Sequence, residues 1–348
     1  MAAGPRFVEH VKRVLVKTPP KDLKPDWIAL STKPSANLSY FFIQGRDYPI
    51  QKCLAVFING LLLPQAQWRP IMVSAANSDA GHPAMLSYDR YGQFCGLTRH
   101  RDPADKGKTN PEEFHDMLDV VRDMRQLIIQ VADTKMGIPE SDIDSLEIVL
   151  VAASIGCSLA RIYAHEYPGT VSGLLLLDPL IANSNYDYLP NPDAEGFDLD
   201  KLPADIAALG VDELREQRRN MMDILHSTVE NPEGTNLRTQ IKLLPHSDGP
   251  KLVGPRKGTP ALTIAAHDPQ MLAYHAEKSR GIPAILTRTY TCPIWHQYYL
   301  AQLKLTDEDL AKGPVVAKGC GHFINAEDPE FTTKEFLDLL DRLLIKTE

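Results

Sequence analysis

The sequence predicts an α/β protein: a mostly parallel, eight-stranded sheet flanked by helices, with a helical insertion between two of its later strands. Three observations carry this expectation. Eight short β-rich apolar runs recur along the chain, and after the first three they alternate with segments of helical period. The alternation then breaks over residues 180–258.

The runs WIAL (27–30), LSYFFIQG (38–45) and LAVFING (54–60) follow one another with short gaps, which suits antiparallel pairing or a hairpin at the start. AMLSYDRY (84–91), LEIVLVAAS (146–154), VSGLLLLDP (171–179), ALTIAAHD (261–268) and PVVAKGCGHF (314–323) come next. They are dense in Val, Ile and Leu without polar alternation, as parallel strands are when both faces are covered. The helix in NPEEFHDMLDVVRDMRQLIIQVADTKMG is expected to start at an Asn110 cap with Pro111 in its first turn, and to stop at Gly137. The last helix opens on Asp328 and Pro329 and puts Phe336, Leu339, Leu340 and Leu343 on one face.

Residues 180–258 start turn-rich and continue as IAALGVDELREQRRNMMDILHS, helical in period, with Met221, Met222, Ile224 and Leu225 among charges. Roughly 80 residues exceed a structureless loop in a compact domain, so the segment is expected to form a helical lid. The core is then built from 1–179 and 259–348.

Composition narrows the function. Of 348 residues 43% are hydrophobic and 24% charged, a globular balance. Lys+Arg 37 against Asp+Glu 45 gives a net charge of −8 with no basic stripe, which argues against nucleic acid. Five cysteines, odd in number and without CxxC spacing, suggest neither a disulfide framework nor a zinc site, and a reducing, cytoplasmic location is expected. No apolar run approaches the ~20 residues of a membrane span. RFVEHVKRVLVKTPP, residues 6–20, is basic and weakly amphipathic, but Glu9 interrupts it and no apolar core follows, so it reads as an ordinary N-terminal helix.

Two serines in VLVAASIGCSLARIYAHEYP, residues 149–168, sit between small residues: Ser154 between Ala152 and Gly156, Ser158 between Gly156 and Ala160. A nucleophile at a sharp strand-to-helix turn needs such neighbours, because Cβ atoms there would collide. Ser158 is the closer literal match to G-x-S-x-G. Strand length favours Ser154: ending the strand at Ala153 makes it about eight residues, ending it at Cys157 about twelve, beyond the usual ~3–10. Ser154 also leaves a helix of ~13 residues before Pro168 ends it.

Ser154-Ile155-Gly156 followed by ARIYAHEYPGTVSGLLLLDP resembles the nucleophile elbow, helix and next strand of the α/β-hydrolase superfamily, and the likeness runs from the third strand to the last helix. The departure is Ala152 where glycine is usual. An alcohol needs a general base oriented by an acid, in the order Ser, acid, His. His322 in the glycine-rich GCGHF matches the family's histidine, and the resemblance implies Asp268, at the tip of ALTIAAHD, as the acid. Asp178, ending LLLLDP, is the rival, since some members place the acid one strand earlier. The spacing from Asp268 to His322 is long for the family, which requires a further insertion containing CPIWHQYYLAQL. One oxyanion donor should be the N–H of Ile155; by resemblance the other is Leu61, in Asn59-Gly60-Leu61, where the family carries a His-Gly pair. YDRYGQ, 88–93, matches the family's Asp-Arg-x-Gly-x turn and reads as a brace for the site floor. Trp68, Met221, Met222, Trp295, Tyr298 and Tyr299 are candidates to line a pocket, with core packing as the alternative for each.

The expected activity is a serine hydrolase cleaving a carboxylic ester or lactone through an acyl-enzyme on Ser154, without metal or organic cofactor. A serine at the elbow disfavours the carboxylate chemistry of this fold's epoxide hydrolases and dehalogenases. The alternative is a stand-alone thioesterase or acyltransferase that releases or cyclises a polyketide-type chain held on a carrier protein, as similar hydrolases do in fungal polyketide pathways. A lid that excludes water would favour cyclisation. A non-catalytic ligand-binding protein on the same fold is the reading of another class. Nothing in the sequence fixes an oligomeric state.

Overall fold

The computed structural model describes residues 23–61, 63–93, 100–231, 233–255 and 258–345. The expected N-terminal helix and Cys95 lie outside them. All eight apolar runs form strands: β1 Asp26–Leu30, β2 Lys33–Ile43, β3 Cys53–Ile58, β4 Ala84–Tyr88, β5 Glu147–Ala153, β6 Val171–Leu177, β7 Ala261–His267 and β8 Ala311–Ala317. They make one sheet in the order β1-β2-β4-β3-β5-β6-β7-β8. β1 and β2 pair antiparallel, as do β2 and β4; every other pair is parallel.

The absence of alternation in the central strands follows from their burial on both faces. Leu54, Val56 and Ile58 of β3 join Ile148, Leu150 and Ala152 of β5 under the helices Met117–Met136 and Gly156–Glu166. The intervening residues Ala55, Phe57, Val149, Val151 and Ala153 face the other way, against Trp68, Ile71, Phe336, Leu339, Leu340 and Leu343 of helix Arg69–Ala76, its preceding turn and helix Pro329–Ile345. The period-two geometry of a strand thus feeds two apolar layers from one run.

One helix start differs from expectation. Asn110 caps a single turn, Pro111–Glu113, by accepting from the Glu112 N–H. The long helix begins at Met117, where Asp116 accepts from the N–H groups of Leu118 and Asp119 while Asp119 accepts from that of Asp116, a capping box. Between them the chain is committed elsewhere: the His115 N–H donates to Asp105 and its carbonyl accepts from Asn236. Gly137 ends the helix in the left-handed region at φ 67, as its position predicts.

The segment between β6 and β7 contains helices Ala204–Ala207, Val211–Leu225 and Gln240–Leu243, and its Ile206, Leu214 and Met221 are buried in the same apolar cluster as the sheet. A second excursion, between β7 and β8, carries helices Pro269–Arg280 and Cys292–Leu303. No described helix is long and apolar enough to cross a membrane. Among the described residues Cys53, Cys157, Cys292 and Cys320 are buried and form no disulfide.

Candidate active site

β5 stops at Ala153, and Ser154 takes φ 57, a left-handed conformation that costs a non-glycine residue roughly 1–3 kcal/mol. The surroundings hold it there. Its N–H continues the ladder to the Leu177 carbonyl at 3.0 Å, and its carbonyl accepts from Cys157 as the helix begins. Gly156 lets that helix start against the sheet: a Cβ there would lie 2.6 Å from the Ile58 oxygen and 2.7 Å from the Asn59 oxygen, both backbone. Gly156→Ala is therefore expected to lower stability by about 1–3 kcal/mol, read as a shift in urea midpoint at unchanged slope. Ser158 lies inside the helix, buried, with its hydroxyl bonded by Gln240 Nε2 at 3.2 Å.

His322 Nε2 stands 2.8 Å from Ser154 Oγ, and its Nδ1 is 2.5 Å from Asp178 Oδ2. The acid beside His322 is thus Asp178, at the end of β6, and not Asp268. Asp268 caps helix Pro269–Arg280, its carboxylate accepting from the N–H groups of Gln270 at 2.9 Å and Gly319 at 3.1 Å. The Gly319 bond first, with others to Gln270 and Met271, holds its carboxyl below the usual range. Both of its oxygens are engaged, one at a helix start and one at a loop, and among the described residues it makes no hydrogen bond to His322. Asp178 is itself in the left-handed region, φ 45, and donates its N–H to the Ala265 carbonyl.

The surroundings of Asp178 contain two groups that motif reading did not assign to it. Its Oδ1 accepts from His267 Nδ1 at 2.7 Å and from the Tyr299 hydroxyl. Asp178 is fully buried, and burial alone would raise its carboxyl; the imidazoles of His267 and His322 outweigh that and hold it well below the ordinary value. Burial likewise opposes charge on His267, but the Asp178 carboxylate dominates and pushes it up to about 10. Burial, then the Asp178 charge, raises the Tyr299 phenol well above its usual value, so it stays a donor. A histidine at the tip of β7, where the family resemblance implies the acid, is the signal that could have pointed here.

The loop after β3 is held from behind. Arg90 Nη1 donates to the Asn59 carbonyl at 2.8 Å and Nη2 to the Gly60 carbonyl at 2.9 Å. Gln93 Nε2 donates to the Leu63 carbonyl at 2.7 Å, and Asn59 Nδ2 donates to Gln93 Oε1 and the Tyr88 carbonyl. A trans peptide points its N–H opposite its carbonyl, so fixing the Gly60 oxygen on Arg90 turns the Leu61 N–H away from it. Gly60 lies against Ser154: a Cβ on it would sit 3.2 Å from the serine Cβ. Among the described residues neither the Leu61 nor the Ile155 N–H has an acceptor. Arg90 is buried and paired on two nitrogens with Glu233 of the segment between β6 and β7, both at 3.0 Å. Burial works against its charge, and Glu233 more than offsets this.

A cavity of ≈ 70 Å³ opens beside His322, walled by Leu180, Leu272, Trp295 and Phe323, with Met221 over it and Arg280, Ser279 and Thr291 among its polar atoms. Of the expected lining residues Met221 and Trp295 are present. Trp68 is instead fully buried on the far side of β3, where its Nε1 donates to Asn59 Oδ1 at 2.6 Å. Tyr298 is buried under the loop after β6, bonded by Arg161 and by the Ala182 N–H, both at 3.2 Å. Met222 is half-buried outside the cavity wall.

A family model described as the alpha/beta hydrolase family matches residues 55–335. No curated protein matches the sequence. Solved structures share the fold at low identity. A laboratory-evolved variant of a potato epoxide hydrolase is 15% identical with a TM-score of 0.53, over 92% of this chain and 100% of that one. An epoxide hydrolase from Vigna radiata is 13% identical with a TM-score of 0.52, over 92% and 98%. A candidate lipase from Acinetobacter baumannii AYE is 13% identical with a TM-score of 0.51, over 99% and 98%.

Proposed function

The chain belongs to the alpha/beta hydrolase family, and from that membership and its site geometry we propose that it is a serine hydrolase acting on carboxylic esters or lactones. The observation that carries the reading is the unbroken line Ser154 Oγ, His322, Asp178, with 2.8 Å and 2.5 Å links. Ser154 attacks the carbonyl carbon, and His322 Nε2 takes its proton. Asp178 keeps the Nδ1 proton of His322 in place, so Nε2 is the free base and the imidazolium is stabilised as it forms. The Ile155 and Leu61 N–H groups receive the oxyanion. His322 then protonates the leaving alkoxide, water attacks the acyl-enzyme, and the acid is released.

The helical segment between β6 and β7 serves as the lid, with Met221 as its contact over the cavity. Leu180, Leu272, Trp295 and Phe323 suit an apolar acyl group. At ≈ 70 Å³ the space equals several water sites of roughly 10–15 Å³ each, which favours a compact acyl group over a polyketide-length chain. A serine nucleophile separates this chain from carboxylate-based epoxide opening.

A fluorophosphonate probe tests the assignment. Wild type and Ser158→Ala should be labelled on one residue and Ser154→Ala not at all. Labelling that survives Ser154→Ala, or is lost in Ser158→Ala alone, would overturn it.

A further inference from the structure

Asp178 is shared between two imidazoles. Oδ2 faces His322, while Oδ1 takes His267 Nδ1 at 2.7 Å, the His267 N–H at 3.4 Å and the Tyr299 hydroxyl. His267 and Tyr299 also touch each other, 3.0 Å from Nδ1 to the hydroxyl, and arrive from different elements, the tip of β7 and helix Cys292–Leu303. Both are buried, as is Asp178. The Trp295 ring packs edge-on to His267, and its Nε1 donates to the Pro179 carbonyl at 2.8 Å, tying that helix to the acid's own loop.

On the serine-hydrolase reading above, we propose that His267 and Tyr299 are positioning residues. From the oxygen that His322 leaves unused they fix the Asp178 carboxylate, and His267 as a cation lowers the basicity of His322. A carboxylate bound by one imidazole lends its whole field to that imidazole's charged form. Bound by two, one of them already protonated, it lends less, and the fixed cation behind it repels a second proton on His322. The site then becomes active at lower pH than it would with Asp178 alone.

The other titratable groups around the pair are compatible with a charged His267. Asp268, next in the chain, is close enough for His267 to lower its carboxyl, so it favours the cation in return. Cys292, on the same helix as Tyr299, lies close to His267 and adds to the upward push. Cys157 lies near Asp178 and Tyr299, and burial holds its thiol neutral; Arg161 acts on Cys157 from the same helix. Around His322, the Glu327 carboxylate accepts from the N–H groups of Gly321 and Phe323 on either side of it, and His275 and Arg280 line the same cavity; all three stay in place when His267 is changed.

The test is the acidic limb of kcat/KM against pH for a neutral activated ester. His322 must be unprotonated to accept the serine proton, so activity rises with pH through its pKa. His267→Gln keeps a donor and removes the charge; the limb should move to higher pH by about one unit. Tyr299→Phe, which removes a neutral donor, should move it the same way by less. A purely structural role predicts lost stability with the limb unmoved, and that result, or a move to lower pH, overturns the proposal. Should His267→Gln fail to fold, the wild-type protein still decides: 15N shifts of the imidazoles should show His267 as imidazolium at pH 8, and a neutral ring there overturns the proposal. The two readings fail separately. Absence of fluorophosphonate labelling sinks the hydrolase assignment, whereas labelling with an unmoved limb sinks this one alone.

Discussion

Asp178→Asn should lower kcat by about 10⁴-fold, while Asp268→Asn leaves it close to wild type. The asymmetry follows from who bonds each carboxylate. In Asp178→Asn the amide oxygen is claimed by His267 and Tyr299, both of which donate to Oδ1 of the native acid. Its NH₂ then faces His322 Nδ1 and forces that nitrogen to accept. The proton moves to Nε2, and the ring can no longer take the proton of Ser154. Asparagine at 268 still caps the helix about as well as aspartate; the Gly319 N–H, which bonds the other carboxylate oxygen, then faces the amide NH₂, a cost to the loop rather than to the proton transfer at His322. Steady-state hydrolysis of a chromogenic ester by the two variants, each checked for a native circular dichroism spectrum, separates the outcomes. Equal losses would show that the β7 aspartate acts after all.

Arg90→Met should destabilise the fold by about 3–5 kcal/mol, the cost of leaving the Glu233 carboxylate buried without its partner. Replacing both, Arg90→Met with Glu233→Leu, should recover most of that, because two apolar side chains need no compensation in the same volume. Activity should not recover with stability. The Asn59 and Gly60 carbonyls lose the donors that aim the Leu61 N–H at the oxyanion, a loss of about 10²-fold in kcat for a misplaced donor. Urea denaturation and single-turnover kinetics on the single and double variants measure the two effects independently. A double variant with wild-type kcat would mean that the loop holds its shape without the guanidinium.

The strands, the elbow and the histidine were readable because each is a local property. Eight dense apolar runs predict eight strands, and strand length alone selects Ser154 over the better motif match at Ser158. Which carboxylate stands beside His322 was not readable from its own strand end, since Asp178 and Asp268 both precede proline after an apolar run. What distinguishes them comes after: Pro269 opens a helix that needs a cap, whereas Pro179 opens a turn-rich stretch that does not. Asn110 misled by the same logic, because its turn and the helix behind it each had a capping residue, and long-range bonds at His115 chose between them. For the aromatic residues the sequence indicates burial but not direction. Trp68 and Tyr298 are buried as their size suggests, yet one supports Asn59 and the other the loop after β6. The Arg90–Glu233 pair joins positions 143 apart and leaves no local trace.

That pair changes how the segment between β6 and β7 should be regarded. A length of chain joining two neighbouring parallel strands resembles a detachable accessory, the kind of part a protein engineer exchanges to reshape a pocket. Here it supplies the counter-charge for an arginine that the rest of the molecule uses to hold the Asn59 and Gly60 carbonyls. A foreign segment grafted in its place would strand that arginine as well as alter the cavity roof. The transplantable unit is therefore the segment together with position 90, which must either travel with Glu233 or be neutralised.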